Sequence, residues 1–150
     1  MDLIYGRSAL SHFRCIKLLK QVQAIAPDVN AVAARYIHVF ETSAPLDASE
    51  QAKLEAMLEY GPAEPQKQHL GLTLISAPRL GTISPWSSKA TDIVRLCGLE
   101  KIIRIERGIE FCFACETSNL TDEAVEAIEA LIHDRMVELV FRNTTDLDQL

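Results

Sequence analysis

The chain contains two similar stretches, ETSAPLDASEQAKLEAML at residues 41–58 and ETSNLTDEAVEAIEALI at residues 116–132. Residues 46–58 align with residues 120–132 without a gap, at an offset of 74. Self-similarity of this kind indicates two copies of one supersecondary unit. Because two repeats are too few for a solenoid, we expect the copies to pack into one pseudo-symmetric domain.

Each copy reads as strand, helix, strand, helix, since apolar residues recur with a period of two in strands and about 3.6 in helices. In the first copy the predicted elements are strand 2–5, helix 8–25, strand 30–42 and helix 47–59. In the second copy they are strand 70–77, helix 85–97, strand 101–115 and helix 121–139. The first helices also align, SALS at 8–11 with SPWS at 84–87.

Local signals support these boundaries. Asp47 with Glu50 three residues later predicts a capping box, and Thr121 predicts the cap of the last helix. Tyr60-Gly61-Pro62 predicts the end of the second helix. Gly108 interrupts a long alternating strand and predicts a bend or bulge there.

Few runs of β-branched residues are apolar enough to be covered on both faces, which favours antiparallel sheets with helices on one side. The predicted fold class is therefore α+β, with a duplicated unit in a ferredoxin-like arrangement. We expect one domain over 1–141, built from repeats 1–61 and 70–141 and joined by the polar linker 62–69. The acidic tail 142–150 is expected to begin a linker to a further domain.

Composition excludes several classes of protein. Hydrophobic residues make up 48% of the chain and charged residues 24%, as in a globular domain. A net charge of −6 argues against binding to nucleic acid or an anionic membrane. The sequence offers no signal peptide and no run of about 18 apolar residues for a membrane helix. With four cysteines that suit a reducing compartment, we expect a cytoplasmic location.

The sequence contains no recognisable catalytic or metal-binding set. Phosphate-binding glycine loops, a serine nucleophile elbow and HExxH are all missing. Cys112 and Cys115 have CxxC spacing, but residues three apart in a strand point to opposite faces. The four histidines are scattered along the chain. We therefore expect no catalytic residue, metal or cofactor in this chain.

The least ordinary segment is PRLGTISPWSSKATDI at residues 78–93. Ser84 and Pro85 predict the N-cap and first position of a helix, and Gly81 predicts a turn. A cap does not need the further hydroxyls and cation that surround it. The residues alone leave two interpretations open, a local cap or a contact surface for an anion or an acidic partner.

This segment resembles a signature of the N-terminal domain of large, single-chain phosphoribosylformylglycinamidine synthases, whose motif is close to PRPGTISPWSSKATDI. Leu80 stands where the family usually has Pro. Other blocks resemble the same family in the same order: Ala9-Leu10-Ser11, Phe13-Arg14, Lys17-Leu18-Leu19, Tyr60-Gly61-Pro62, Glu106-Arg107-Gly108 and His133-Asp134-Arg135-Met136. The resemblance spans essentially the whole chain.

The resemblance implies a non-catalytic part of an enzyme that uses glutamine, ATP and Mg²⁺ to make formylglycinamidine ribonucleotide. The domain would be similar to a dimer of the separate PurS subunit of split enzymes. It would bridge the synthetase and glutaminase domains, both C-terminal to it, and help form the ammonia passage. The residues expected to dock or to lie near a ligand are Arg79, Gly81, Thr82, Ser84, Pro85, Trp86, Ser87, Ser88, Lys89 and Asp92.

A free-standing ferredoxin-like module that binds a small anion or regulates another protein is the alternative function. The two hypotheses differ in whether the reading frame continues past Leu150. The sequence leaves the strand order, the residues of the passage and self-association of the isolated piece open.

Overall fold

The computed structural model describes residues 2–59, 71–79, 81–115, 120–143 and 145–150. Its elements are β1 (Asp2–Ser8), α1 (His12–Gln23), β2 (Val29–Thr42), α2 (Ala48–Leu58), β3 (Gly71–Pro78), α3 (Pro85–Leu96), β4 (Ile102–Cys115), α4 (Asp122–Ile132), β5 (Glu138–Phe141) and a 3₁₀ helix (Thr145–Gln149). The five strands form one antiparallel sheet in the order β1-β2-β4-β3-β5. This confirms the predicted α+β class.

The duplication is visible in the matching lengths of equivalent elements. Helices α1 and α3 each have 12 residues, strands β2 and β4 each have 14, and helices α2 and α4 each have 11. The N-cap residues of α1 and α3 are Ser11 and Ser84, which are therefore equivalent. The alignment of Ser8 with Ser84 was wrong, because Ser8 ends β1 and does not cap a helix.

The two copies meet along β2 and β4, which run antiparallel over their whole lengths. Tyr36 pairs with Ile109. Tyr36 follows the N-cap Ser11 by the same number of residues as Ile109 follows the N-cap Ser84, so Tyr36 and Ile109 are equivalent in the two copies. The pseudo-two-fold axis therefore passes through this pair at the centre of the sheet.

Two apolar clusters lie on one face of the sheet, under the four helices. The first joins α1 and α4 to Ala34, Phe111 and Phe113, and the second joins α2 and α3 to Phe40 and Ile105. The strand residues alternate at every second position, as expected when one face of each strand packs against helices. Burial of these side chains is the main term that stabilises the helix layer.

The C-terminal segment covers part of the opposite face. Leu147, in the 3₁₀ helix, is only 1% exposed and packs with Phe141 against a third cluster that includes Ile37 and Ile75. The side chain of Arg104 donates a hydrogen bond of 2.7 Å from Nη1 to the carbonyl of Leu150. Residues 145–150, expected to belong to a linker, thus pack against the sheet.

The last helix is shorter than predicted. It ends at Ile132 and not at residue 139, and the chain then turns into β5. The turn is closed by hydrogen bonds from the backbone N–H groups of Val137 and Glu138 to the carbonyl of Asp134. The prediction failed here because the short apolar run ELVF fits a helical face as well as a strand.

The second helix begins as predicted. Asp47 accepts a 2.8 Å hydrogen bond from the backbone N–H of Glu50, whose side chain accepts one of 3.1 Å from Asp47 N–H. The predicted stop at Tyr60-Gly61-Pro62 and the linker 62–69 lie outside the described residues. Among the helices that the structure describes, none combines the length and apolar character needed to cross a bilayer.

Gly108 does not form the predicted bend or bulge. The β2–β4 register runs through it without a shift, with Gly108 opposite Ile37. A Cβ atom at this position would lie 2.8 Å from the carbonyl oxygen of Ser76 on β3. The glycine is therefore required by the close approach of a neighbouring backbone.

Gly108→Ala is expected to lower the free energy of unfolding by about 1–3 kcal/mol, because β3 or β4 must shift to admit the methyl group. Urea denaturation measures this loss. Ser88→Ala, on the exposed side of α3, is the control and should change stability by less than about 0.5 kcal/mol. Equal midpoints for the two variants would contradict this account of Gly108.

Candidate functional site

The unusual segment leads from the end of β3 into α3. A turn closes where the backbone N–H of Thr82 donates a 3.1 Å hydrogen bond to the carbonyl of Arg79. Gly81 has φ of +77° inside this turn. That conformation favours glycine, so the turn predicted from Gly81 is confirmed.

Ser84 and Pro85 form the predicted helix start. The Ser84 side chain accepts a 3.0 Å hydrogen bond from the Ser87 N–H, and Pro85 occupies the first turn. The same hydroxyl donates a 2.7 Å bond to Oε1 of Glu106, and the Ser84 N–H donates one of 3.4 Å to Oε2. Glu106 is 1% exposed, so the N-terminus of α3 holds a buried carboxylate.

Two hydroxyls of α3 complete the edge of β4. Strand β3 pairs with β4 only from Ile109 onward, so the earlier part of β4 needs other partners on that side. Ser87 donates a hydrogen bond to the carbonyl of Ile105, and the N–H of Ile105 donates one of 3.2 Å to Thr91. These side chains satisfy the backbone groups that a neighbouring strand would otherwise pair.

Ser84, Ser87 and Thr91 thus form one row on α3 that faces the sheet. Ser87 is fully buried, so its hydroxyl supports the helix and is inaccessible to a partner. Thr91 was missed in the sequence analysis, although its spacing of seven residues from Ser84 places it on the same helix face.

Trp86 anchors the first turn of α3. It is half-buried and packs against the cluster under α2 and α3. Its ring centroid lies 5.8 Å from that of His38, in a tilted arrangement, and the guanidinium carbon of Arg107 lies 4.7 Å from the Trp86 ring centroid. The tryptophan is therefore shared between the apolar core and a polar group of side chains at the centre of the sheet.

The remaining residues of the segment face solvent. We define the outer surface as the exposed residues Thr82, Ile83, Pro85, Ser88, Lys89 and Asp92 together with Met136 and Val137. Ile83 is 64% exposed, Met136 86% and Val137 58%. This surface combines apolar side chains with hydroxyls and a lysine.

Arg79 connects the segment that leads into α3 to the segment that contains Met136 and Val137. Its Nη1 donates a 2.6 Å hydrogen bond to the carbonyl of Arg135, and its backbone N–H donates one of 3.0 Å to the carbonyl of Val137. The segment at 78–93 and the block at 133–136 are far apart in sequence and adjacent in the fold.

A pocket of about 380 Å³ lies beside this link. Its lining is mixed in charge, with Arg79 and Arg135 near the carboxylates of Glu126, Glu129 and Glu138, and it also includes His133. Glu129 pairs with Arg142 at 3.1 Å, and Glu138 accepts hydrogen bonds from Ser76 and from the Asp134 N–H. Within the described ranges, His, Cys, Asp and Glu form no group of three that could hold a metal ion.

A buried ion pair lies on the opposite face of the sheet. Arg35 Nε and Glu110 Oε1 are 2.8 Å apart, and the Arg35 guanidinium carbon lies 3.5 Å from the Tyr5 ring centroid. Burial, and then the nearby Glu110 carboxylate, raise the pKa of Tyr5 and of the Cys112 thiol. The sequence analysis did not single out Arg35 or Glu110, although each places a charge within an apolar strand.

His38 is fully buried on the helix-covered face. Its Nδ1 lies 3.2 Å from the carbonyl of Ile4, so that nitrogen carries the proton and donates. Burial lowers the pKa of His38 to about 4, and the positive charge of Arg107 acts in the same direction. The imidazole is therefore neutral at pH 7.

A family model described as formylglycinamide ribonucleotide amidotransferase N-terminal matches residues 35–150. The matched region runs from within β2 to the end of the 3₁₀ helix and contains the cap of α3, Arg79 and the outer surface. The chain therefore belongs to the formylglycinamide ribonucleotide amidotransferase N-terminal family and is the N-terminal domain of a phosphoribosylformylglycinamidine synthase.

Proposed function

We propose that this domain couples glutamine hydrolysis to the synthetase reaction of phosphoribosylformylglycinamidine synthase, in purine biosynthesis. The complete enzyme is a carbon–nitrogen ligase that takes ammonia from glutamine and uses ATP and Mg²⁺. Those cofactors and the catalytic residues belong to the synthetase and glutaminase domains. The domain itself acts as a non-catalytic bridge between them, in the cytoplasm.

The observation that carries this proposal is the outer surface. Ile83, Met136 and Val137 leave large apolar side chains in solvent, and the hydrogen bonds of Arg79 hold their two segments together. Clustered apolar side chains with a polar rim mark protein interfaces. The partner is the synthetase domain of the same enzyme. Separated from that domain, the chain would present this surface to a second copy.

The charge on the outer surface indicates what the partner supplies. Lys89 is exposed and makes no ion pair with any described residue. An acidic side chain at the edge of the synthetase domain would pair with it. A pair at the rim of an interface adds more to orientation and association rate than to affinity.

The chemical reason for a bridge is the fate of ammonia. Ammonia that escapes into water near pH 7 is protonated to ammonium, which has no lone pair and cannot attack an activated substrate. A domain that closes the junction between the glutaminase and synthetase domains prevents this loss. A single sheet with helices on one face suits this role because its packed core resists deformation.

The test uses the complete synthase carrying Ile83→Ser together with Lys89→Ala. Loss of docking should reduce glutamine-driven turnover about tenfold, since removing an apolar anchor such as Ile83 from an interface costs more than about 1 kcal/mol, while ammonia-driven turnover falls less. The matched control is Leu96→Ser with Lys20→Ala, because Leu96 is 88% exposed at the far end of α3 and Lys20 is exposed on α1.

The control enzyme should keep turnover within about twofold of the unmodified enzyme. If the outer-surface variant changed only thermal stability, with glutamine-driven turnover and domain association preserved, the docking proposal would be wrong. Ser87→Ala is unsuitable for this test, because its buried hydroxyl supports the contact between α3 and β4.

A further inference from the structure

Arg107 occupies an unusual position on the helix-covered face of the sheet. Its guanidinium carbon lies 4.6 Å from the ring centroid of Tyr36 and 4.7 Å from that of Trp86. Aromatic rings attract a cation through their electron-rich faces. Two rings from different elements therefore fix the position of this guanidinium, close to the pseudo-two-fold axis.

The Arg107 guanidinium has no acidic partner among the described residues. Arg107 makes no ion pair and no side-chain hydrogen bond with any residue that the structure describes. The described side-chain nitrogens that are buried without a hydrogen-bond partner belong to Arg35 and Arg104. Those of Arg107 are not among them, so its N–H groups reach solvent. A fork of N–H donors that is held in place and open to solvent suits two oxygens of one anion.

A second guanidinium near Tyr36 is that of Arg7, on strand β1, which pairs with β2 on the side away from β4. Strand β1 has a register irregularity between Tyr5 and Ser8, and the Arg7 guanidinium carbon lies 5.6 Å from the Tyr36 ring centroid. Bulges of this kind often redirect a side chain next to a functional site. Burial keeps His38 neutral at pH 7, so the positive charges that the described residues place against the Tyr36 ring are those of Arg7 and Arg107.

The arrangement has a steric requirement on β1. A Cβ atom at Gly6 would lie 2.8 Å from Cε1 of His38, so the glycine makes room for the imidazole. His38 in turn packs in a tilted arrangement against Trp86, whose ring lies beside Arg107. The position of the guanidinium is thus built by β1, β2, β4 and α3 together, and not by one flexible side chain.

We propose that Arg107, held between Tyr36 and Trp86, is the primary contact of a binding site for a small oxyanion, the phosphate or carboxylate group of a soluble ligand. The N–H groups of Arg107 bind two oxygens of the anion, and Arg7 adds positive charge at the side. The site shares no residue with the outer surface and does not depend on the coupling role proposed above.

The test titrates the 150-residue chain with sodium phosphate, and separately with sodium acetate, in Tris buffer at constant ionic strength set with sodium chloride. Trp86 is the only tryptophan in the chain, so its fluorescence reports a change at Arg107 directly. The expected result is a saturable change with at least one of the two anions, accompanied by a rise in the melting temperature. Chloride alone should give neither change.

Arg107→Met should weaken binding at least about tenfold, because it removes the charged fork. Arg107→Lys keeps the charge but not the fork, and should weaken binding less while keeping the fold. Arg95→Met, an exposed arginine further along α3, should bind as the unmodified chain does.

Saturation with phosphate but not acetate would identify a phosphate ligand, and the reverse would identify a carboxylate. If neither anion acted beyond chloride, or if Arg107→Lys and Arg107→Met both bound with unchanged affinity, the proposal would be overturned. Arg107 would then serve only to pack two aromatic rings. These outcomes leave the coupling proposal untouched, because that proposal is measured by turnover of the complete enzyme.

Discussion

Glu110→Ala is expected to lower the free energy of unfolding by about 3–5 kcal/mol, the cost of removing one partner from a buried ion pair. Arg35 is only 6% exposed, and its Nη2 already lacks a partner among the described residues. Without Glu110 the guanidinium keeps its charge inside the protein, where the Tyr5 ring still lies over it. Urea denaturation of the variant measures the loss.

Two comparisons isolate the effect of burial. Glu129→Ala removes the carboxylate of a solvent-exposed pair with Arg142 and should cost less than about 1 kcal/mol. Replacing both partners, Arg35→Met with Glu110→Leu, should restore most of the stability lost in Glu110→Ala, because no uncompensated charge remains. A Glu110→Ala variant no less stable than Glu129→Ala would show that the pair contributes nothing.

The stability of the chain is expected to fall as the pH drops from about 6.5 to about 4, through the titration of His38. In the unfolded chain the imidazole takes up a proton near pH 6.5, whereas in the folded chain burial keeps it neutral down to about pH 4. Between these values the unfolded state binds more protons, so acid favours unfolding. The full difference amounts to about 3 kcal/mol.

The measurement is the free energy of unfolding of paired variants over this pH range. Carboxylates also titrate in acid, so the informative quantity is the difference in slope between His38→Gln and the unmodified chain. His38→Gln should remove a large part of the loss between pH 6.5 and 4. His12→Gln, at an exposed histidine on α1, should leave the slope unchanged. Parallel slopes for all three proteins would contradict the buried, neutral state of His38.

The elements of the fold could be predicted because their signals are local. The capping box at Asp47 and the Ser84-Pro85 start of α3 each depend on residues within one turn of helix. The duplication could be predicted because the amino-acid sequence contains an internal repeat. The 3₁₀ helix and β5 were missed because their positions depend on Leu147 and Phe141 packing against distant strands, and not on a local pattern.

The interior of the candidate site was less predictable for the same reason. Ser87 and Thr91 bond to Ile105 only because β3 stops before that part of β4, a fact of strand pairing. Arg35 and Glu110 are separated by 75 residues and become neighbours through the β2–β4 register. Hydroxyls that looked surplus in the sequence therefore divide into an inner structural row and an outer exposed set.

The measurement that tests the coupling role most directly is complementation in trans. The synthase lacking residues 1–150 is assayed with and without this chain, with glutamine or with ammonium salts as the nitrogen source. The coupling role predicts that the chain restores glutamine-driven product formation much more than ammonia-driven product formation. Equal restoration of both, or full activity of the truncated enzyme without the chain, would contradict it.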